Sequence, residues 1–458
     1  MRLGRVADAR IVTPEGVVEG DVTFDMDGGV IVDVGAASDA PVAWTLDARG
    51  AWVVPGGVDA HVHFGGFGPP RIADDFASGS RAALAGGTTT VIDFCEADGD
   101  ESVRACVGRR MADARPSAVD YCFHFVLTER YDEQLRDLAY LDSIGMRDFK
   151  LFTIYDGETL SLDQVGDIFS RIGGDAGRTF LVHSEDAAEI ARLRAAVADG
   201  RDFSELARTR PAETETRVAA GIRELAALHG ARACIAHTSA ASTAALEDAG
   251  AERLATGGVR VGEAGEFLLE TCPHYLELTA RSLEGPEGGL YTMTPPLRSD
   301  ADRDALWELV CSGLPTVLST DHCPYLRSQK LGSTWKTVPC GVDGVQSRML
   351  LAFEGGVRRR GLSLRDYVRL TSETAARFYG LWPRKGAIAP GSDADLCVLD
   401  PGGVTPLVAS DMRGDTDYTI YEGRCLSARV LATIHAGRLA FDGECVLAEP
   451  GSGRYLKA

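Results

Sequence analysis

Apolar positions along the chain change their period twice. Over residues 1–54 they fall in short runs, 9–12, 20–24 and 29–34, broken by glycine and proline. That is the texture of short strands and turns. The same texture returns at 394–399, 428–434 and 437–441. Two β-rich ends around a different middle predict one small β domain built from both termini, 1–54 and 385–458. In the middle, eight apolar runs read as strands: 52–64, 89–94, 121–127, 148–155, 179–184, 233–239, 268–278 and 315–321. Ala- and Arg-rich amphipathic stretches separate several of them. The clearest covers 214–228, with Val218, Ile222 and Leu225 at helical spacing. Strands alternating with helices over 55–384 predict an α/β fold, a (β/α)8 TIM-like barrel. An open doubly wound sheet would want a phosphate-binding glycine fingerprint after its first strand. Gly65-Gly66-Phe67-Gly68 does not match it and follows a His-x-His.

Composition narrows the function. The hydrophobic fraction is 45% and the charged fraction 25%, ordinary for a globular chain. A formal net charge of −20 argues against nucleic-acid partners, which need clustered cations. The one basic cluster, Arg358-Arg359-Arg360, reads as a solvated helix end. Eleven cysteines form no C-x-x-C pair, which fits reduced, mostly buried thiols. No apolar run of about 18 residues and no export signal are visible. A cytoplasmic protein without membrane contact is therefore expected.

Candidate ligands then fall at strand ends, where such barrels carry their chemistry. The first run ends in His61 and His63. Period two puts both on one face, within reach of one ion. His183 ends the fifth run, His237 the sixth and Asp321 the eighth. Imidazole and carboxylate are the ligands zinc and its neighbours take. Four of only nine histidines in strand-end register with an aspartate predict a metal site. His124, His274 and His322 read as structural, and His229 and His435 as surface or loop residues. Lys150, in the apolar strand Asp148-Phe149-Lys150-Leu151-Phe152, has two readings. It is a structural lysine paired with Asp148, or a buried amine that captures carbon dioxide and bridges two metals as a carbamate.

Several segments in order resemble the cyclic amidohydrolases. They are Pro55-Gly56-Gly57-Val58-Asp59-Ala60-His61-Val62-His63, Gly86-Gly87-Thr88-Thr89-Thr90, Phe149-Lys150-Leu151-Phe152 and Glu270-Thr271-Cys272-Pro273-His274-Tyr275-Leu276. Pro295-Pro296-Leu297-Arg298, Thr320-Asp321-His322-Cys323-Pro324 and Gly386–Leu396 continue the match. The resemblance spans nearly the whole chain. It implies the barrel, a β-sandwich from both termini, and two divalent ions per subunit, zinc with manganese as the alternative. Lys150 aligns with the family's carboxylated lysine. His61, His63, Lys150 and Asp321 would hold one ion, and Lys150, His183 and His237 the other. Asp59 is expected to support the site by hydrogen bonding and not to ligate.

Branch markers point further. Dihydroorotase-like members carry Arg-Glu-Pro-Gly after His-x-His; here Phe64-Gly65-Gly66-Phe67-Gly68-Pro69-Pro70 stands instead. Asp74-Asp75-Phe76-Ala77-Ser78-Gly79 and Tyr121-Cys122-Phe123-His124 look like the hydantoinase and dihydropyrimidinase branch. Tyr155 matches its oxyanion-stabilising tyrosine. Thr294 stands where the branch has serine, and Cys340 where it has asparagine; the resemblance makes both substrate-binding positions. The loop 65–72 is unusual and should border the pocket for the ring substituent. The expected activity is hydrolysis of a hydantoin or dihydropyrimidine ring to an N-carbamoyl amino acid by a bridging hydroxide, with Asp321 as base and then acid. An allantoinase-like ring opener, a non-catalytic scaffold paralogue and a one-metal zinc deaminase are the rival readings. The substrate is a small cyclic ureide or amide, and the resemblance implies a homotetramer.

Overall fold

In the computed structural model, residues 2–36, 41–65, 70–247 and 250–457 are described. Of the loop 65–72, residues 66–69 lie outside them.

Eight parallel strands run in chain order: Gly57–Asp59, Thr88–Cys95, Asp120–Leu127, Asp148–Phe152, Thr179–His183, Arg232–Ile235, Gly265–Thr271 and Thr316–Leu318. Each pairs with the next. The ring closes just beyond the first and last strands, where Val62 bridges His322 and the His63 N–H donates to the His322 carbonyl at 2.8 Å. Closure therefore falls beside the first candidate ligands.

Alternation along each strand sorts its side chains into two layers. In the third strand Phe123, Phe125 and Leu127 pack outward against helices, while Cys122 and Val126 fill the barrel interior. In the fourth, Phe149 and Leu151 go outward and Phe152 inward. Lys150 is thereby turned into the barrel. The expected helix over 214–228 is Ala212–His229, stopped by Gly230 in the left-handed conformation. Asp75 caps the helix Phe76–Ala85 in a capping box with Ser78.

Both chain ends enter one eight-stranded sheet, which carries Leu3–Thr13 beside Trp52–Pro55, and that strand beside Leu396–Asp400. Alternation again divides the faces. Ile11, Val53, Val398 and Ile434 pack among themselves in a second core, while Val12, Val54 and Cys397 join the barrel's outer core. Gly87 meets that junction: a Cβ there would lie 2.4 Å from the Cys397 sulfur, and its φ is +84°.

Several sequence expectations change: the runs 148–155, 233–239 and 315–321 are strand only to Phe152, Ile235 and Leu318, and three further differences are larger. The run 52–64 is not one strand. Trp52–Pro55 belongs to the terminal sheet and Gly57–Asp59 to the barrel, with the break at Gly56, where a Cβ would sit 2.2 Å from Thr89 Oγ1. The run 268–278 is strand only to Thr271, because Pro273 opens the helix Pro273–Glu277. His435 is neither surface nor loop. It ends the strand Arg429–His435, buried on the face that Thr433 ties to the Leu84 carbonyl of the barrel.

All eleven cysteines are free thiols, six of them buried. Arg358, Arg359 and Arg360 sit exposed at a helix end. Among the described residues, no helix is long and apolar enough to cross a membrane.

Candidate metal centre

The candidate ligands gather at the C-terminal mouth of the barrel. His61 Nε2 lies 3.2 Å and His63 Nε2 3.1 Å from the same oxygen, Asp321 Oδ1. His61 and Asp321 are thus brought together from the two ends of the closed ring. The His61 ring lies 5.3 Å from that of His237, and His237 lies 4.4 Å from His183, centroid to centroid. Lys150 Nζ sits behind them, 5.2 Å and 4.8 Å from the centres of the Phe94 and Phe152 rings.

Burial sets the charge states. Asp321 is held well below the usual carboxylate range: burial raises it, but His61 and His63 outweigh burial. Burial drives His183 and His237 well below the usual imidazole value, so both are neutral donors of a lone pair. Burial also pushes the Lys150 amine down to about 8, with Glu270 and Asp321 opposing the fall. The structural reading of Lys150 needed an ion pair with Asp148. Among the described residues there is none, and Asp148 instead accepts from the Thr179 hydroxyl.

These groups fit a metal site. Two imidazole nitrogens and a carboxylate oxygen converge within ligand distance. Lys150 Nζ and His237 Nδ1 are buried with no hydrogen-bond partner among the described residues. Buried polar atoms are normally satisfied, so this pair is available for other bonds. Backbone strain concentrates here too. Of six non-glycine residues with positive φ among the described residues, three are Tyr155 (91°), His237 (37°) and Asp321 (49°). Such strain clusters at sites where geometry serves function.

Of the surrounding residues, Asp59 was singled out from sequence as a hydrogen-bonding support, and Glu270, Glu185, Arg210, Arg348, Asp93 and Arg110 were not. Glu270 Oε1 takes the His61 Nδ1–H at 2.7 Å and the His237 backbone N–H at 3.0 Å. His183 Nε2 lies 2.8 Å from Glu185, which also pairs with Arg210. Asp59 accepts from the His61 N–H and from Thr320, and lies 3.6 Å from Arg348. Asp93 and Arg110 together clamp the Phe64 backbone, directly after His63. A buried acid in an otherwise apolar strand was the available signal for Glu270 and Asp93.

The remaining histidines divide. His124 Nε2 bonds the Ala60 carbonyl at 2.9 Å. His322 Nε2 bonds Asp74 at 3.0 Å, and its Nδ1 accepts the Gly344 and Val345 N–H groups. Asp74, a branch marker in the sequence, therefore ties the Asp321 segment to the helix that Asp75 caps. His274 is buried with neither ring nitrogen partnered among the described residues.

On the substrate side, the Tyr155 hydroxyl lies 2.6 Å from Thr294 Oγ1, and its ring packs 5.2 Å from His183. Burial pushes the Tyr155 phenol far up, so it keeps its proton. The Gly341 N–H donates to the Thr292 carbonyl at 2.9 Å, which brings the Thr294 and Cys340 segments side by side.

A second buried group of ligand-type residues, Asp120, Asp395 and His435, lies where the terminal sheet meets the barrel. The ammonium of Lys385 fills it, 2.6 Å from both aspartates. It is an ion-pair cluster and needs no metal.

The model of the amidohydrolase family matches residues 52–426. The chain is 32% identical to the D-hydantoinase of Ralstonia pickettii over 467 residues, covering 99% of this chain and 98% of the relative. It is 33% identical to a D-phenylhydantoinase of Escherichia coli O1:K1 over 427 residues, covering 90% and 89%. The dihydropyrimidinase of Brevibacillus agri NCHU1002 is similar in structure, with a TM-score of 0.91 at 29% identity, over 99% of this chain and 98% of that one.

Proposed function

The chain belongs to the amidohydrolase family, in its hydantoinase and dihydropyrimidinase branch, and from that premise we propose that it hydrolyses a cyclic amide or ureide of hydantoin or dihydropyrimidine type. The product is an N-carbamoyl amino acid. The observation that carries this reading is the convergence of His61, His63 and Asp321 beside the unpartnered amine of Lys150.

His61, His63, Lys150 and Asp321 would hold one divalent ion, and Lys150, His183 and His237 a second, with zinc the expected metal. An amine lowered to about 8 is partly uncharged near neutral pH, which favours its carboxylation to a two-oxygen bridging ligand. When bound, such ions supply an ionised water near neutral pH and polarise the ring carbonyl.

The chain's own groups do the rest. Asp321, kept ionised by its imidazole neighbours, accepts the proton of the attacking water. It then delivers that proton to the ring nitrogen as the carbon–nitrogen bond breaks. Tyr155 keeps its O–H and donates it to the oxygen that gains charge. Thr294 and Cys340 orient the ureido edge from the adjoining segments. The barrel over 55–384 is carried on a domain from 1–54 and 385–458, a division supported by the sheet that draws strands from both ends.

Dihydrouracil, hydantoin and allantoin assayed in parallel, with metal analysis of the same preparation, test this. Two ions per chain and turnover of dihydrouracil or hydantoin are expected. Turnover confined to allantoin, or no bound metal with no turnover, would overturn the proposal.

A further inference from the structure

Glu270 lies near the end of the seventh barrel strand, its side chain wholly buried. A carboxylate can only accept hydrogen bonds when ionised. Its Oε1 accepts two, from His61 Nδ1 at 2.7 Å and from the His237 backbone N–H at 3.0 Å. Its other oxygen has no partner among the described residues.

Each bond has a consequence. A proton held on His61 Nδ1 makes Nε2, the nitrogen turned toward Asp321 at 3.2 Å, the one that would offer its lone pair to an ion. The second bond pins a strained residue. His237 has φ +37°, a left-handed conformation that non-glycine residues rarely adopt. Its N–H is anchored at the turn that aims the imidazole into the centre. The two recipients belong to different halves of the proposed ligand set, His61 to one ion and His237 to the other.

We propose that Glu270 is a positioning residue that fixes the tautomer of His61 and the backbone of His237, so that one carboxylate couples both halves of the centre. The proposal rests on the two-metal hydrolase reading above. It assigns Glu270 no contact with substrate.

Competition with a chromophoric chelator, titrating zinc onto metal-free wild type and Glu270→Gln, tests it. Second-layer partners of this kind are worth roughly 10–100-fold in metal affinity. A loss of that size for both ions is expected, beyond any change in Tm. A purely structural role would lower Tm and leave the affinity of the folded fraction unchanged. Affinities within about twofold of wild type, or a loss confined to one ion, would overturn the coupling. If Glu270→Gln does not fold, a crystal structure of zinc-loaded wild type decides. His61 bound through Nδ1, or Glu270 turned from either partner, overturns the proposal. A wild type that binds no second ion instead removes the two-metal reading itself, which the same titration reports separately.

Discussion

Lys150 and Lys385 are both buried, one inside the mouth of the barrel and the other where the barrel meets the terminal sheet. Three carboxylates surround Lys385: Asp120 at 2.6 Å, Asp393 at 2.9 Å and Asp395 at 2.6 Å. They outweigh its burial and hold the ammonium charged, far above its ordinary value. Lys150 has no hydrogen-bond partner among the described residues, and burial brings it down to about 8. Near each lies a histidine and an aspartate, so residue types alone do not separate the two places. What separates them is whether the positive charge is already matched. At Lys385 it is, and the cluster is complete as folded. At Lys150 the amine is left unpaired and reactive beside the candidate ligands.

The largest expected effect breaks the comparison on the Lys150 side. Lys150→Met removes a ligand from both proposed ions. A loss of roughly 10³-fold or more in kcat/KM is expected, on the scale of the several kcal/mol such ions supply. The metal-free variant should nevertheless be no less stable than metal-free wild type. Removing a buried, unpaired amine relieves about 3 kcal/mol at neutral pH. Near-wild-type turnover would end the ligand assignment, and a lower Tm in the metal-free variant would show that Lys150 is structural after all.

Lys385→Met should behave in the opposite way. It leaves Asp120, Asp393 and Asp395 buried around an apolar side chain, with Arg454 bridging Asp120 and Asp393, Arg384 on Asp393 and His435 beside Asp120. Breaking a buried ion pair from one side costs about 3–5 kcal/mol, read as a fall in urea midpoint. The kinetic constants of the folded fraction should stay within about twofold. A large change in KM or kcat would mean that the junction reaches the site.

Tyr155→Phe sharpens the catalytic side. It removes one donor and no ligand, so metal content should be unchanged while kcat falls roughly 10²-fold. Unchanged kcat would take Tyr155 out of the reaction.

Much of this was legible in the sequence, for particular reasons. The barrel showed because each strand alternates, as in Phe123 and Phe125 against Cys122 and Val126. Strand ends were less legible, since Gly56 and Pro273 divide runs whose hydropathy is continuous. His61, His63, His183, His237 and Asp321 were readable as strand-end ligand types. Their register predicted a shared site, but not the geometry that delivers it, which depends on ring closure and on left-handed backbone at His237 and Asp321. His435 was misread because a single histidine after an apolar run gives no sign of the Asp120 carboxylate, 3.2 Å away and over three hundred residues earlier. One signal went unread. Only five of the 47 basic residues are lysine. Three of the five, Lys150, Lys330 and Lys385, are buried.

The smallest effect is also the most discriminating, because the two lysines respond to opposite ends of the pH scale. Asp120 is held well below the usual carboxylate range; burial opposes this, and Lys385, His435 and Arg454 outweigh it. A carboxyl lowered in the fold contributes stability above its unfolded value of about 4, and loses it as pH falls through the folded value. The Tm gap between wild type and Lys385→Met should therefore hold from pH 7 to about 4 and narrow only as pH falls below 4. Lys150 runs the other way. Its folded value of about 8 lies below the unfolded value of about 10.4, so its cost is fully present below 8 and disappears as pH rises toward 10.4. The Tm advantage of metal-free Lys150→Met should thus shrink between pH 8 and 10, by a kcal/mol or so per unit. A constant gap across that range would mean that Lys150 is paired in the metal-free protein, and the contrast between the two lysines would fail at its source.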